Sequence, residues 1–347
     1  MGTVTDAQLP PSEGPARPIG FGVLATGGIA ASFVIDLAHA PGAGAVAVGS
    51  RRLERARAFA GEHGIGAAYG SYDEVLADPA VDVVYVATPH ALHEANVMAC
   101  LEAGKAVLCE KPLGVTARQS ERMVAAARGR GLFLAEAMWM RCNPTLRRMV
   151  DGVRDGWVGD VRQVRADLGF VGKPDPDSRL HDPALGASSL LDVGIYPLTL
   201  VTWLLGEPAD MVGLATLDAR GVDDTCALAL SYASGAVATV TCSQLAWTDS
   251  SATVAGSRGR VDVASRMHVP PSVTRHTGQV PPLKAETFAE PVLGRGLANE
   301  AVEVARCVAA GQTESPLLPL DETLLVARLL DRARSVCGIR LPADDEP

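Results

Sequence analysis

Short, wholly apolar runs alternate with amphipathic stretches over the first 135 residues. The runs at 19–25, 45–49, 83–87, 106–108 and 132–135 have the length and composition of buried strands. Each is followed by a helical pattern with its own punctuation. The first stops at Pro41-Gly42, the third is a short helix from Ser71 to Asp78 closed by Pro79, and the fourth ends at Gly104. The fifth opens on a capping box, Thr116-Ala117-Arg118-Gln119, and runs to about Gly129. Strands alternating with helices predict a parallel sheet with right-handed crossovers. The rhythm then changes. Asn143 caps a helix with Pro144 at its first position. From there the strands lengthen and lose their helices: Val161–Phe170, Met211–Leu217, Thr225–Tyr232, Ala236–Leu245 and Ser251–Ala255. The turn Ala233-Ser234-Gly235 marks an antiparallel pair. One helix, Ser189 to Leu205, interrupts, and helical stretches at 298–310 and 320–336 close the chain. The pattern predicts an α/β protein: a doubly wound parallel sheet over 19–140, then an α+β domain with an open, mostly antiparallel sheet over 141–347.

Composition narrows the function classes. Of 347 residues, 48% are hydrophobic and 20% charged, enough for two packed cores. Met1 to Pro18 is rich in Pro and Gly, has neither a basic nor an apolar region of signal-peptide type, and reads as a disordered tail. A net charge of −9 without a Lys/Arg block argues against nucleic acid. The apolar run Leu198–Leu205 is too short to cross a bilayer, so no membrane is expected. The 7 Cys form no Cys-x-x-Cys pair, which points to reduced thiols in a cytoplasmic protein, with neither a disulfide framework nor a metal site.

Strand, glycine turn and helix at 19–40 provide the context for a Rossmann dinucleotide fingerprint, laid on Ala25, Gly27 and Ala30, with Thr26, Gly28 and Ile29 around it. Ala25 stands in the first glycine position, which requires a negative φ there. About 20 residues on, where an acid would bind the ribose of NAD, the chain has Ser50-Arg51-Arg52. Guanidinium forks match the 2′-phosphate of NADP; otherwise these arginines open a solvated helix. Thr88-Pro89-His90 and His93 follow the third strand, and Glu110-Lys111-Pro112 ends the next, where open α/β sheets bind ligands. Asp192 and Tyr196, four residues apart on an apolar helix, share a face. They are either a buried stabilising pair or a general acid/base pair facing the cofactor. Near neutral pH, proton transfer requires the Lys111 or Tyr196 pKa to be lowered, and each can act on the other.

Together these motifs resemble the Gfo/Idh/MocA oxidoreductases over residues 19 to about 341. Tyr196, with Glu136-Ala-x-Trp139-x-Arg141 upstream, is similar to the branch holding dihydrodiol dehydrogenase, NADP-dependent xylose dehydrogenase and glucose–fructose oxidoreductase. The resemblance implies NADP as cofactor, with NAD as the alternative, and hydride transfer to or from a secondary alcohol of a sugar or polyol. It implies that Lys111 contacts substrate and nicotinamide ribose, that Asp192 orients, that Tyr196 moves the proton and that Arg51 meets the 2′-phosphate. Trp139, Arg141, Arg179 and His181 would stand near the substrate. It also implies a homodimer or higher homo-oligomer through the C-terminal sheet. An aldose is the first candidate substrate, a cyclic dihydrodiol or inositol the next. The alternative readings are a nucleotide-sugar ketoreductase, for which Arg162, Arg165, Lys173 and Arg179 would supply charge, and a non-catalytic NADP-binding sensor.

Overall fold

The computed structural model describes residues 17–172, 178–278 and 283–345; most of the expected tail, and Lys173, lie outside them. The first sheet is built from β1 (Ile19–Leu24), β2 (Ala43–Gly49), β3 (Ala67–Tyr69), β4 (Val83–Val86), β5 (Ala106–Cys109) and β6 (Leu134–Glu136). Its order is β3-β2-β1-β4-β5-β6, and every pairing is parallel. The strand order reverses beside β1, between β1 and β4, which places a crevice at the carboxyl ends of those strands. The crossovers are α1 (Gly28–Leu37), α2 (Leu53–His63), α3 (Tyr72–Ala77), α4 (His93–Glu102) and α5 (Ala117–Arg130). Ser71 and Glu74 cap α3 reciprocally, Thr116 caps α5, and left-handed Gly64 and Gly131 end α2 and α5.

After α6 (Pro144–Arg154), capped by Asn143, comes an eight-stranded sheet. Its strands are β7 (Val161–Gly169), β8 (Asp210–Leu217), β9 (Asp223–Ser231), β10 (Val237–Ser243), β11 (Ala252–Gly256), β12 (Gly259–Val263), β13 (Val273–Thr277) and β14 (Lys284–Phe288). They lie in the order β14-β13-β12-β11-β7-β10-β9-β8, and only β7 and β10 run parallel. β3 and β12 to β14 are additional to the strands expected from pattern.

The expected helix 189–205 is a π turn, Leu190–Gly194, followed by α7 (Ile195–Leu205). π turns interrupt the regular helical ladder and cluster at functional sites. The stretch Pro183–Leu205 is long and apolar enough to cross a membrane by length and composition, but 89% of its apolar window is buried inside the fold.

The last two helices return to the first sheet. α8 (Leu297–Ala309) packs on α1, and α9 (Leu320–Cys337) packs on α5 and β8. Asp36 of α1, 1% exposed, accepts the N–H groups of Arg295 and Leu297 at 2.8–3.0 Å, so one helix caps the start of another across the molecule.

Candidate active site

A cavity of about 1160 Å³ lies at the carboxyl ends of β1, β2, β4 and β5. Ala25 to Ile29 line one wall. Ala25 departs from expectation, with φ at +83°. Its N–H still bonds the Gly49 carbonyl at 3.0 Å, extending the ladder one residue beyond β1 before the chain reverses. The left-handed conformation costs alanine roughly 1–2 kcal/mol, which the packed turn offsets. Gly27 then starts α1 with no side-chain cap and no acidic residue in the first turn. Its leading N–H groups therefore remain open to an anion.

Ser50 and Arg51 line the next part of the cavity, as expected, together with Arg52, Arg55 and Tyr72. Arg55 had no motif to reveal it: it reads as an ordinary exposed residue of α2 and is one turn beyond the Ser-Arg-Arg signal. Thr88, Pro89 and His90 also line the cavity. His93 does not. It is fully buried, with Nδ1 2.8 Å from the Pro112 carbonyl and Nε2 2.9 Å from the Thr88 carbonyl. Carbonyls from two strand ends flank the two ring nitrogens, so His93 sits between the Thr88 and Lys111-Pro112 loops, outside the cavity lining.

At the far end Glu110, Lys111, Arg179, Asp192 and Tyr196 converge. The Lys111 ammonium donates to Asp192 twice, at its carbonyl and at Oδ1, 3.1 Å away, and lies 5.1 Å from the centre of the Tyr196 ring. Arg179 Nη2 reaches the same Oδ1 at 3.3 Å, and His90 Nε2 approaches it at 3.6 Å. The Gly186 carbonyl, 3.2 Å from His90 Nδ1, places the proton on that nitrogen. Burial pushes His90 down to about 3, so the ring is neutral. Burial alone would raise Asp192, but Lys111 and Arg179 hold its carboxyl well below the usual range. Burial likewise opposes the Lys111 charge, yet Asp192, Tyr196 and Glu110 keep its pKa above the ordinary lysine value. Glu110 is pushed up by burial against the pull of Lys111 and of Tyr85, whose hydroxyl donates to Oε1.

Tyr196 is raised to about 12: burial dominates, while Lys111 and Trp139 work against it. The expected lowering of the Lys111 or Tyr196 pKa is therefore absent in the resting site, although the ammonium does act on the phenol in the expected direction.

The expected substrate residues divide. Arg179 lines the cavity. Trp139 reaches it through Tyr196: its Nε1–H donates to the phenol oxygen at 2.8 Å. Arg141 does not; it is buried, donates to the Leu317 carbonyl at 3.0 Å, pairs with Glu322 and stacks on Trp203, because α9 and α7 close over it. His181 stands outside the cavity lining, its carbonyl taken by Arg220 at 3.0 Å. Of the four cations considered for a nucleotide-sugar, Arg162 pairs with Asp160 at the surface and Arg165 lies on the outer face of β7, leaving Arg179 as the one that lines the cavity among those described. Sequence reading missed His268, whose ring faces both Trp139 and Tyr196.

Comparison with known proteins gives concordant matches. Residues 19–137 match the family described as "Oxidoreductase family, NAD-binding Rossmann fold", and residues 145–262 match the GFO/IDH/MocA C-terminal domain. The chain is 37% identical to trans-1,2-dihydrobenzene-1,2-diol dehydrogenase of Bos taurus, covering 93% of this chain and 98% of that one. With the Homo sapiens enzyme of the same name the identity is 36%, with the same coverage. Among solved structures it resembles a 3-ketoreductase from Actinomadura kijaniata in complex with NADP and TDP-benzene, with TM-score 0.83 and 30% identity over 92% of this chain and 98% of that one. It also resembles an aldose–aldose oxidoreductase from Caulobacter crescentus, with TM-score 0.82 and 26% identity over 93% and 98%.

Proposed function

The chain belongs to the Gfo/Idh/MocA oxidoreductases, and we propose that it oxidises, reversibly, a secondary alcohol of a sugar or related polyol with NADP. It is an NAD(P)-dependent enzyme acting on CH–OH groups. The carrying observation is the single cavity itself. One end joins the uncapped start of α1 to Arg51, Arg52 and Arg55; the other joins Lys111, Asp192 and Tyr196. The first end fits a dinucleotide: open N–H groups for its pyrophosphate and guanidiniums for its 2′-phosphate. NAD is the alternative, lacking the group those guanidiniums would meet.

When bound, NADP supplies the hydride chemistry. The chain's own residues handle the proton. Tyr196 takes it from the substrate hydroxyl. Trp139 Nε1–H, donating to the same phenol oxygen, and the Lys111 ammonium both favour the phenolate that does so. Asp192 holds Lys111 in place through two bonds and remains charged throughout. Arg179, exposed at the cavity edge, offers donors to the remaining hydroxyls.

Absorbance at the reduced-nicotinamide band, with NADP⁺ or NAD⁺ and a pooled set of aldoses, inositols and trans-dihydrodiols, tests this reading. Reduction with NADP⁺ is expected. Lys111→Ala should lower turnover by roughly 10²–10⁴-fold while NADPH still binds by fluorescence; near-wild-type turnover would refute the assignment.

The same proposal includes assembly and location. Val212 and Leu214, 62% and 80% exposed on the open face of β8, fit an apolar contact with a second copy of this sheet. Sedimentation velocity should show a dimer that Leu214→Lys weakens. The described cysteines, all unpaired, suit a reducing cytoplasmic setting.

A further inference from the structure

Three of the 7 cysteines meet where α9 ends against the second sheet. Cys226 on β9 stands opposite Cys242 on β10 in the antiparallel ladder, and both are buried. Cys337, the last residue of α9, is half-buried, and its Sγ lies 3.6 Å from that of Cys226. Gly213 of β8 makes room for it: a Cβ there would come within 2.6 Å of the Cys337 sulfur. Cys242 Sγ in turn lies 3.3 Å from Ser189 Oγ, beside the π turn that carries Asp192.

A buried cysteine usually serves as a small apolar residue. Two features separate the Cys226–Cys337 pair from that role. The sulfurs are in contact, and one of them is reached from solvent. The described residues hold no group of His, Cys, Asp and Glu arranged as a metal site, so the thiols do not gather around a cation.

We propose that Cys226 and Cys337 form a reversible disulfide, a modification site for low-molecular-weight disulfides such as glutathione disulfide. Exposure sets the order of events. The Cys337 thiolate attacks one sulfur of the small disulfide, forming a mixed disulfide and releasing the first small thiolate. The Cys226 thiolate then attacks the Cys337 sulfur, closing the protein disulfide and releasing the second. Two protein sulfurs are oxidised, one small disulfide is reduced to two thiols, and the two protons pass from the protein to them. Burial raises the Cys337 thiol above its ordinary value, against its contact with Cys226, so acidity does not single it out. Its neighbour does: the second step is intramolecular, between sulfurs already in contact. The bond joins β9 to the end of α9 and closes a loop of roughly 110 residues, which restricts the unfolded chain. Because α9 also packs on α5, the same bond reinforces the attachment of the two halves.

The test treats the full native chain with glutathione disulfide, then alkylates free thiols and reads intact mass and a peptide map. The wild type should gain one cross-link, between Cys226 and Cys337. Its thermal midpoint should rise by several degrees and return with dithiothreitol. Cys226→Ser should stop at a glutathione adduct on Cys337. Cys337→Ser should leave Cys226 unmodified. NADPH binding by fluorescence reports on folding of each variant, and the wild-type map decides the matter if a variant fails to fold. A wild type that retains the adduct on Cys337, that links Cys226 to Cys242 instead, or that acquires neither adduct nor cross-link would overturn the proposal. A Cys226–Cys337 link that leaves the thermal midpoint unchanged would overturn its role as a clamp.

Discussion

Lys111 and Tyr196 are adjacent, and both pKa values are raised. Asp192 keeps the lysine charged, and burial drives the phenol to about 12 in the resting site. On the proposed reading Lys111 is an electrostatic partner and Tyr196 the proton acceptor, the ammonium favouring the phenolate that accepts. The acceptor must be deprotonated for oxidation, and below its pKa its deprotonated fraction rises tenfold per pH unit. For alcohol oxidation, log kcat/KM should accordingly rise with a slope near +1 over about pH 7–9. In Lys111→Met, with the ammonium gone, the phenol pKa should rise further, so the same slope should persist at a lower level of activity. A pH–rate profile measured with saturating NADP⁺ checks this; a plateau near neutral pH would instead identify a different base. Tyr196→Phe should cost about 10²–10⁴-fold in turnover and remove the slope.

At the scale of elements, Glu136 at the end of β6 shows how the site is held. Its carboxyl accepts the Leu113 N–H at 2.9 Å and the Thr323 hydroxyl at 3.3 Å, joining β6 to the loop after Lys111 and to α9. Burial raises it from 4.5 to about 7, against those bonds. Between these two values the unfolded chain has released a proton that the folded chain keeps. Stability is thus fully present below about pH 4.5, falls through pH 7 and stays reduced above it. Glu136→Gln keeps an acceptor without the charge. It should raise the thermal midpoint more at about pH 8 than at about pH 5, with roughly 2–3 kcal/mol separating the two conditions. Equal shifts at both would show that Glu136 is ionised throughout. Five strands of the first sheet were legible in sequence as short apolar runs bounded by caps and glycines; β3, three half-buried residues, was not. Lys111, Asp192 and Tyr196 were legible because polar groups interrupt apolar stretches there. The π turn was not: Leu190 to Gly194 has the composition of any buried helix, and what permits its position is tertiary, since a Cβ at Gly194 would come within 2.8 Å of Cys242 on β10. Arg141 and His93 stand outside the cavity lining, which the sequence does not show for a related reason. A charged or titratable residue beside a motif looks catalytic until α9, or two carbonyls from neighbouring loops, are seen to occupy it.

For the molecule as a whole, the site is a product of both halves. Lys111 and the glycine turn come from the parallel sheet, Asp192, Tyr196 and Arg179 from the segment before and within α7, and α8 and α9 fasten the halves through Asp36 and α5. The field around that site runs against its cofactor. The chain carries a net charge of −9, and NADP is a polyanion. Binding therefore depends on a local patch, Arg51, Arg52 and Arg55, all exposed at one end of the cavity. Exposed charges are screened over about 10 Å at 0.1 M salt, whereas the N–H groups at the start of α1 act at contact distance. KM for NADP⁺ should therefore rise several-fold between about 20 and 300 mM salt, and KM for NAD⁺, which has no 2′-phosphate to meet the patch, should rise less. Arg55→Ala should weaken the salt dependence for NADP⁺ and leave NAD⁺ nearly unaffected. Steady-state titrations of both cofactors at the two ionic strengths decide it. Parallel curves would mean that the guanidiniums only offset the overall charge; diverging curves would identify them as the NADP-selecting group.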